Sequence, residues 1–233
     1  MKTIGGSAIG RRTFLAIGAS ASALALSGCS TLIDPQSQAR IANRRAQERS
    51  WAYYRELYGP VTDEPYPIAA VNLEVVKPQY FRRPVRNETG YPPGTLVVNT
   101  QTFYLYWTQD DGNAMRYGVG LGRAGFSWSG EGVIQYKRQW PTWTPPQEMI
   151  ERHPELEKYS ADNGGQPPGI DNPLGARALY IFQNGKDTLY RVHGSPEAAS
   201  IGRAVSSGCV RLLNQDVIDL YQRVPDGSRI VVV

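Results

Sequence analysis

The chain has 233 residues, 41% of them apolar and 20% charged, with a formal net charge of +4 and a pI near 9.1. That is long enough for one substantial domain plus an appendage, and too apolar for a disordered chain. Two cysteines exclude a disulfide-rich scaffold.

The first segment reads as an address and not as part of a fold. Gly10-Arg11-Arg12-Thr13-Phe14-Leu15 follows the twin-arginine export pattern, and Ala16 to Leu26 is a short run of small apolar residues. It is shorter than the ~20 residues a membrane-spanning helix needs. Leu26-Ser27-Gly28-Cys29 resembles the lipobox of bacterial lipoproteins. The resemblance implies cleavage before Cys29, lipidation of its thiol, and anchoring of the mature chain to a membrane. Residues 1–28 carry Lys2, Arg11 and Arg12 and no acid, so the remainder has 22 basic and 21 acidic side chains. The basic pI therefore belongs mostly to the address, and a nucleic-acid partner is not supported. Ser30, following the cysteine, slightly favours the outer membrane as the anchor site.

Residues 29–65 form the expected appendage, a helix and linker. Gln36 to Tyr58 lacks Gly and Pro, and Trp51, Tyr54 and Tyr58 recur at helical spacing before Gly59-Pro60 ends the run. Residues 66–233 are the expected main domain. Gly94–Asn99 and Thr102–Trp107 are β-rich runs, and Asp110-Asp111-Gly112-Asn113 turns the chain into a strand over Ala114–Gly120. Residues 122–175, rich in Pro, Gly and Trp, predict a long irregular insertion with a short helix around Gln147–Leu156. Within it Trp143 is read as the wall of a groove, and Trp140 as either groove or core.

Ala178–Phe182 and Thr188–His193 flank Asn184-Gly185, a strong hairpin signal. Asn214–Arg223 predicts a helix capped by Asn214, and Ser228–Val233 a closing strand. The predicted fold class is mainly β, a sandwich or barrel with one or two short helices and a Pro/Trp-rich insertion loop.

If Cys29 is lipidated, Cys209 is the one thiol left, in a compartment where cysteines are normally paired or avoided. His193 closes the predicted hairpin and precedes Gly194, where its ring is placed to take a proton from a nearby thiol. Ser206-Ser207-Gly208-Cys209 sets small residues before the sulfur, leaving backbone N–H groups open to a developing oxyanion. No Cys/His/Asp cluster has metal spacing and no Gly-rich phosphate loop follows a strand, so neither metal nor cofactor is expected.

His193-Gly194-Ser195, then Ile201 through Leu212, then Asn214 closely resemble the catalytic signature of L,D-transpeptidases of the YkuD type. Asp171–Gly175 and the Ala178–His193 hairpin also resemble that domain, over roughly residues 90–233. The resemblance implies an enzyme acting on tetrapeptide stems of peptidoglycan, with Cys209 as nucleophile and His193 as general base and acid. It implies an oxyanion hole from the N–H groups of Gly208 and Cys209, and a carbonyl of Gly194 or Ser195 orienting the imidazole. Arg211 and Ser207 are candidate substrate contacts, together with Trp143. Ser207 stands where the family often has histidine. Arg191 is read as structural and His153 as solvated. The implied products are a 3–3 crosslink, an exchanged D-amino acid or a protein–peptidoglycan bond, formed in the periplasm. A hydrolase using the same thioester, and a non-catalytic wall-binding lipoprotein, remain the alternatives.

Overall fold

The computed structural model describes residues 36, 48, 50–122, 130–206 and 208–233. Cys29, the twin arginines and Ser207 lie outside the described residues. The chain divides into two compact units, Met1–Arg44 and Arg45–Val233. In the first, Gln36 alone is described, and it is helical.

The second unit begins with helical residues 50–57 (α1), followed by an extended strap to Arg82. The aromatic spacing along α1 is used for packing. Trp51, Tyr54 and Tyr58 all meet Phe81, at ring-centroid distances of 5.8, 4.7 and 5.5 Å. Tyr58 and Phe81 are each 1% exposed in a second core with Val76, Tyr80, Ile201 and Leu213. The boundary expected at residue 65 thus falls inside a compact unit, because the aromatic face of α1 finds its apolar partner on the main domain.

Eight strands follow one another in a curled sheet, joined by a ninth from the C-terminus. They are β1 (Arg83–Arg86), β2 (Thr95–Asn99), β3 (Tyr104–Thr108), β4 (Asn113–Gly118), β6 (Gly130–Gln139), β7 (Arg177–Gln183), β8 (Lys186–Ser195), β10 (Val210–Leu213) and β11 (Arg229–Val232). The order is β1-β4-β3-β2-β11-β6-β7-β8-β10, while β5 (Leu121–Gly122) and β9 (Ala204–Ser206) form a separate parallel pair. Pro84 is accommodated because β1 is an edge strand. Near the other edge, Gly120 exchanges backbone hydrogen bonds of 2.9 and 2.8 Å with Arg211, so the region after β4 meets β10 and the sheet closes. A side chain at Gly120 would place its Cβ 2.6 Å from the Ser200 carbonyl oxygen.

One core fills the closed sheet. Leu96, Leu105, Tyr117, Ile134, Leu179, Val192, Leu212 and Ile230 meet Val217, Leu220 and Val224 of α3 (Asn214–Arg223) and the residue beyond it. The architecture is mainly β with few short helices, as the sequence predicts. Three local readings change. The region 122–175 contains, besides the short helix α2 (Gln147–Arg152), the ten-residue strand β6, where Gly132 is required because a Cβ there would lie 2.9 Å from the Phe182 carbonyl oxygen. The C-terminal strand β11 is central, running parallel to β2 and antiparallel to β6. Asn214 does not cap α3. Leu213 is the N-cap residue, and the Asn214 side chain instead accepts a 3.0 Å hydrogen bond from the Ala176 N–H.

A polar clamp ties the strap to α3. Arg82 pairs with Asp219 at 3.0 Å and lies 3.6 Å from Asp216. Tyr117 donates to Asp219 at 2.6 Å, Tyr58 donates to Asp216 at 3.3 Å, and Arg223 adds two further bonds to Asp219. The arginines hold the Asp219 carboxyl below its usual range against the upward push of burial. Burial dominates at Asp216, which is 0% exposed, and pushes it up to about 7 despite Arg82.

Candidate active site

The β7–β8 hairpin and the parallel strand β10 bring the chemistry together. Asn184 and Gly185 adopt φ of 52° and 74°, the left-handed pair that a two-residue hairpin turn requires. In register, Val192 pairs with Leu179 and Val210, and all three point into the core. Side chains alternate along a strand, so Arg191, His193 and Arg211 share the opposite face, and His193 pairs directly with Arg211. Cys209 immediately precedes β10 and continues this alternation. Its sulfur accepts from the Arg191 backbone N–H, which fixes the thiol two residues along the strand from His193.

A bulge in β8 contributes to this placement. Pairing shifts between Tyr180↔Arg191 and Phe182↔Asp187, which sets Thr188, Leu189 and Tyr190 opposite Ile181 alone, and Leu189 takes a φ of 62° within that stretch. The Asp187 carboxylate accepts from the Leu189 N–H at 2.8 Å and so supports that turn. Beyond the bulge, Tyr190 lies against Gly208. Gly208 has φ of 130°, and a Cβ there would come within 2.6 Å of the Tyr190 ring. Glycine before the cysteine is therefore required twice over, by backbone angle and by this contact.

The His193 ring is 4% exposed, and its Nδ1 lies 2.6 Å from the Gly194 carbonyl oxygen. An N–H on Nδ1 donates to that carbonyl, which leaves the Nε2 lone pair to accept a proton. Gly194 fits closely against α3. A Cβ there would lie 2.9 Å from Val217 and clash with the Asn214 side chain. Burial, opposed by the Gly194 bond and aided by the nearby Arg211 and Arg191, pushes His193 down to about 4. Burial also pushes the Cys209 thiol up, opposed by the Arg191 N–H and both guanidiniums. The resting pair is a neutral thiol beside a neutral imidazole at pH 7. Cys209 remains half-buried.

The two flanking arginines are already engaged. Arg191 forms two bonds to Asp187, of 2.6 and 2.8 Å, and lies 4.3 Å above the Tyr180 ring. Arg211 bonds Glu197 at 2.8 Å, and Ser195 accepts from the Glu197 N–H at 3.1 Å, fixing the loop that leaves β8.

The remaining sequence candidates are spread out. Trp143 is half-buried in the insertion, its backbone paired with Gln166 at 3.0 and 2.7 Å. The insertion is held by Asn172, whose side chain donates to the carbonyls of Pro141, Gln166 and Pro167 at 3.0–3.1 Å. Trp140 belongs to the core side of its two readings. It is 7% exposed, meets the Tyr66 ring at 4.9 Å with the planes tilted by 60°, and donates to Glu64 at 2.7 Å. His153 is exposed and faces Glu155 at 3.3 Å. Among the described residues no group of three metal-ligating side chains occurs, and no helix is long and apolar enough to cross a membrane. Alternation along β6 and β7 places Arg138, Tyr136 and Tyr180 on the face of His193, a relation that no local sequence pattern marks.

Comparison with known proteins meets this geometry. A probable L,D-transpeptidase ErfK/SrfK of Escherichia coli is 34% identical over 59% of this chain and 43% of its own length. A putative L,D-transpeptidase YkuD of Bacillus subtilis is 44% identical over 36% of this chain and 47% of its own. The chain thus spans less than half the length of these curated relatives. A solved structure from Brucella melitensis, described as a probable carnitine operon oxidoreductase, is 40% identical. It covers 70% of this chain and 99% of that chain, with a TM-score of 0.48. The YkuD family, described as the L,D-transpeptidase catalytic domain, matches residues 93–233, which include β2 to β11 and both His193 and Cys209. With more than half of its length in that match, the chain belongs to the L,D-transpeptidase family.

Proposed function

We propose that the protein transfers peptidoglycan stem peptides through a thioester on Cys209. The observation that carries this reading is the β8–β10 register, which puts Cys209 and His193 on one face with the imidazole oriented by Gly194. In the first half-reaction Nε2 takes the thiol proton as sulfur attacks the carbonyl of the third stem residue. The imidazolium then protonates the departing amine, the C–N bond breaks, D-alanine leaves, and a thioester remains. In the second, an acceptor amine gives its proton to Nε2 and attacks the thioester, the C–S bond breaks, and the thiolate regains a proton. The N–H groups of Gly208 and Cys209 are the assigned donors to each oxyanion. The neutral resting pair suits this cycle, since the proton moves only as the bond forms.

The same reading places the mature chain in the periplasm, lipidated on Cys29 and held at the outer membrane. Intact-mass analysis of the full-length protein mixed with a disaccharide-tetrapeptide tests the chemistry. Substrate minus D-alanine on the wild type, and no adduct on Cys209→Ala, is the expected result. An unmodified wild type overturns it. Loss of fatty-acid labelling in Cys29→Ser tests the anchor, and undiminished labelling contradicts it.

A further inference from the structure

Three backbone segments converge behind the imidazole, and one side chain fills the point where they meet. Gly175, just before β7, has a φ of 61°, and a Cβ there would lie 2.7 Å from the Gly194 carbonyl carbon and 3.0 Å from the Gly194 Cα. Cβ atoms built on Gly175 and on Gly194 would each come within 2.3 Å of Asn214 Oδ1. The two glycines thus leave a space that the Asn214 carboxamide occupies. The same oxygen accepts from the Ala176 N–H at 3.0 Å, a donor on a residue that is 0% exposed. Alternation along β8 turns the Gly194 side-chain position to the core face with Val192, opposite His193. Asn214, buried at the start of α3, therefore reaches this point from the core.

The Gly194 carbonyl is the group that holds His193 Nδ1, at 2.6 Å. That bond joins neighbouring residues, so its direction follows the Gly194 backbone angles directly. Glycine lacks the Cβ that would restrict those angles. A Gly194 free to turn would swing its carbonyl away and let the ring proton settle on either nitrogen. On one side, pairing with Leu212 of β10 holds Gly194 in the sheet. On the other, Gly175 and the Asn214 carboxamide lie against its backbone. The residue that is pinned is the glycine, and the residue whose proton is thereby placed is the histidine.

We propose that Asn214 is a positioning residue for His193, holding Gly194 so that its carbonyl keeps the imidazole proton on Nδ1 and leaves the Nε2 lone pair for the thiol proton. The inference rests on the thioester reading above and adds to it a residue that acts through the Gly194 backbone from the core face. Both properties of the carboxamide are used: its oxygen satisfies the buried Ala176 N–H, and its bulk fills the space beside two glycines. Alanine or serine at this position withdraws the carbonyl oxygen from both partners. Aspartate keeps an acceptor of the same shape in the same place.

The test reads the ring proton directly, by ¹⁵N NMR of full-length protein labelled at histidine, at pH 7 where His193 is neutral. The chain has two histidines, and exposed His153 serves as the internal reference. We expect a single Nδ1-protonated tautomer for His193 in wild type and in Asn214→Asp, and a mixture of tautomers in Asn214→Ala and in the milder Asn214→Ser. Thermal unfolding selects the variants that are folded. In these the limiting single-turnover acylation rate falls on the order of 10²-fold, the scale of a reacting group misplaced by about 1 Å. The half-saturating tetrapeptide concentration stays unchanged. Arg82→Ala, which loosens the first turn of α3 from the strap side, is the control for destabilisation alone and keeps the wild-type tautomer. A wild-type tautomer in folded Asn214→Ala or Asn214→Ser, a mixture in wild type itself, or equal mixing in Arg82→Ala overturns the assignment. Failure of wild type to form any thioester while the tautomers behave as expected overturns the acyl-transfer reading and leaves the hold of Asn214 on the ring standing.

Discussion

Where the strap meets α3, Arg82 sits between Asp216 and Asp219, and Tyr58 and Tyr117 donate to the same carboxylates. On the sheet face, His193 is buried against the Gly194 backbone carbonyl, and its neighbouring arginines are turned to Asp187 and Glu197. The first region joins its charges to one another and holds two parts of the chain together. The second keeps the imidazole and the thiol neutral. Burial acts on both, and the partners decide whether it yields adhesion or reactivity.

The sharpest separation comes from single substitutions. Cys209→Ala abolishes thioester formation in the mass assay. His193→Asn lowers the acylation rate by roughly 10²- to 10⁴-fold, the usual contribution of a positioned acid–base group. Arg82→Ala leaves acylation chemistry in place but costs about 3–5 kcal/mol in urea unfolding, since it strands buried carboxylates. The exposed Arg229–Glu131 pair is the control, and Arg229→Ala costs under about 1 kcal/mol. Equal losses at Arg82 and Arg229 break the comparison.

A smaller effect is expected at Gly208→Ala. The strained backbone and the Tyr190 contact cost about 1–3 kcal/mol, to be read as slowed acylation by the tetrapeptide. Unchanged acylation removes the tight loop geometry from the account.

The pH dependence of stability differs in sign between the regions. His193 is held below its unfolded value, so the unfolded chain binds the extra proton, and stability falls as pH drops from 6.5 toward 4, by at most ~3 kcal/mol. Asp216 is held above its unfolded value, so the native state binds the proton, and stability falls as pH rises from 3.8 toward 7. Asp216→Asn removes that second slope in denaturation measured from pH 4 to 7. His193→Asn removes the first. An unchanged slope in either variant contradicts its assignment.

Much of the site is readable locally. Asn184-Gly185 announces the hairpin that carries His193, and the small residues before Cys209 announce a tight approach, which Gly208 makes against Tyr190. What escapes a local reading depends on partners distant in sequence. The glycines of β6 look like loop until Gly132 is seen against β7. Asn214 has the composition of a cap, yet its carbonyl oxygen serves the Ala176 N–H, 38 residues away. Trp140 joins the core through Glu64 and Tyr66 of the strap. Arg138 becomes visible only when β6, β7 and β8 are aligned in register.

The central claim is that a neutral Cys209–His193 pair performs the acyl transfer. Its most direct test is the single-turnover rate of thioester formation by the tetrapeptide, followed from pH 4 to 9 in wild type and His193→Asn. The account predicts a wild-type rate that falls only on the acid side, as His193 protonates toward its depressed value, and a variant that is slow throughout that range. A wild-type rate that collapses between pH 7 and 6, or a variant as fast as wild type at neutral pH, contradicts it.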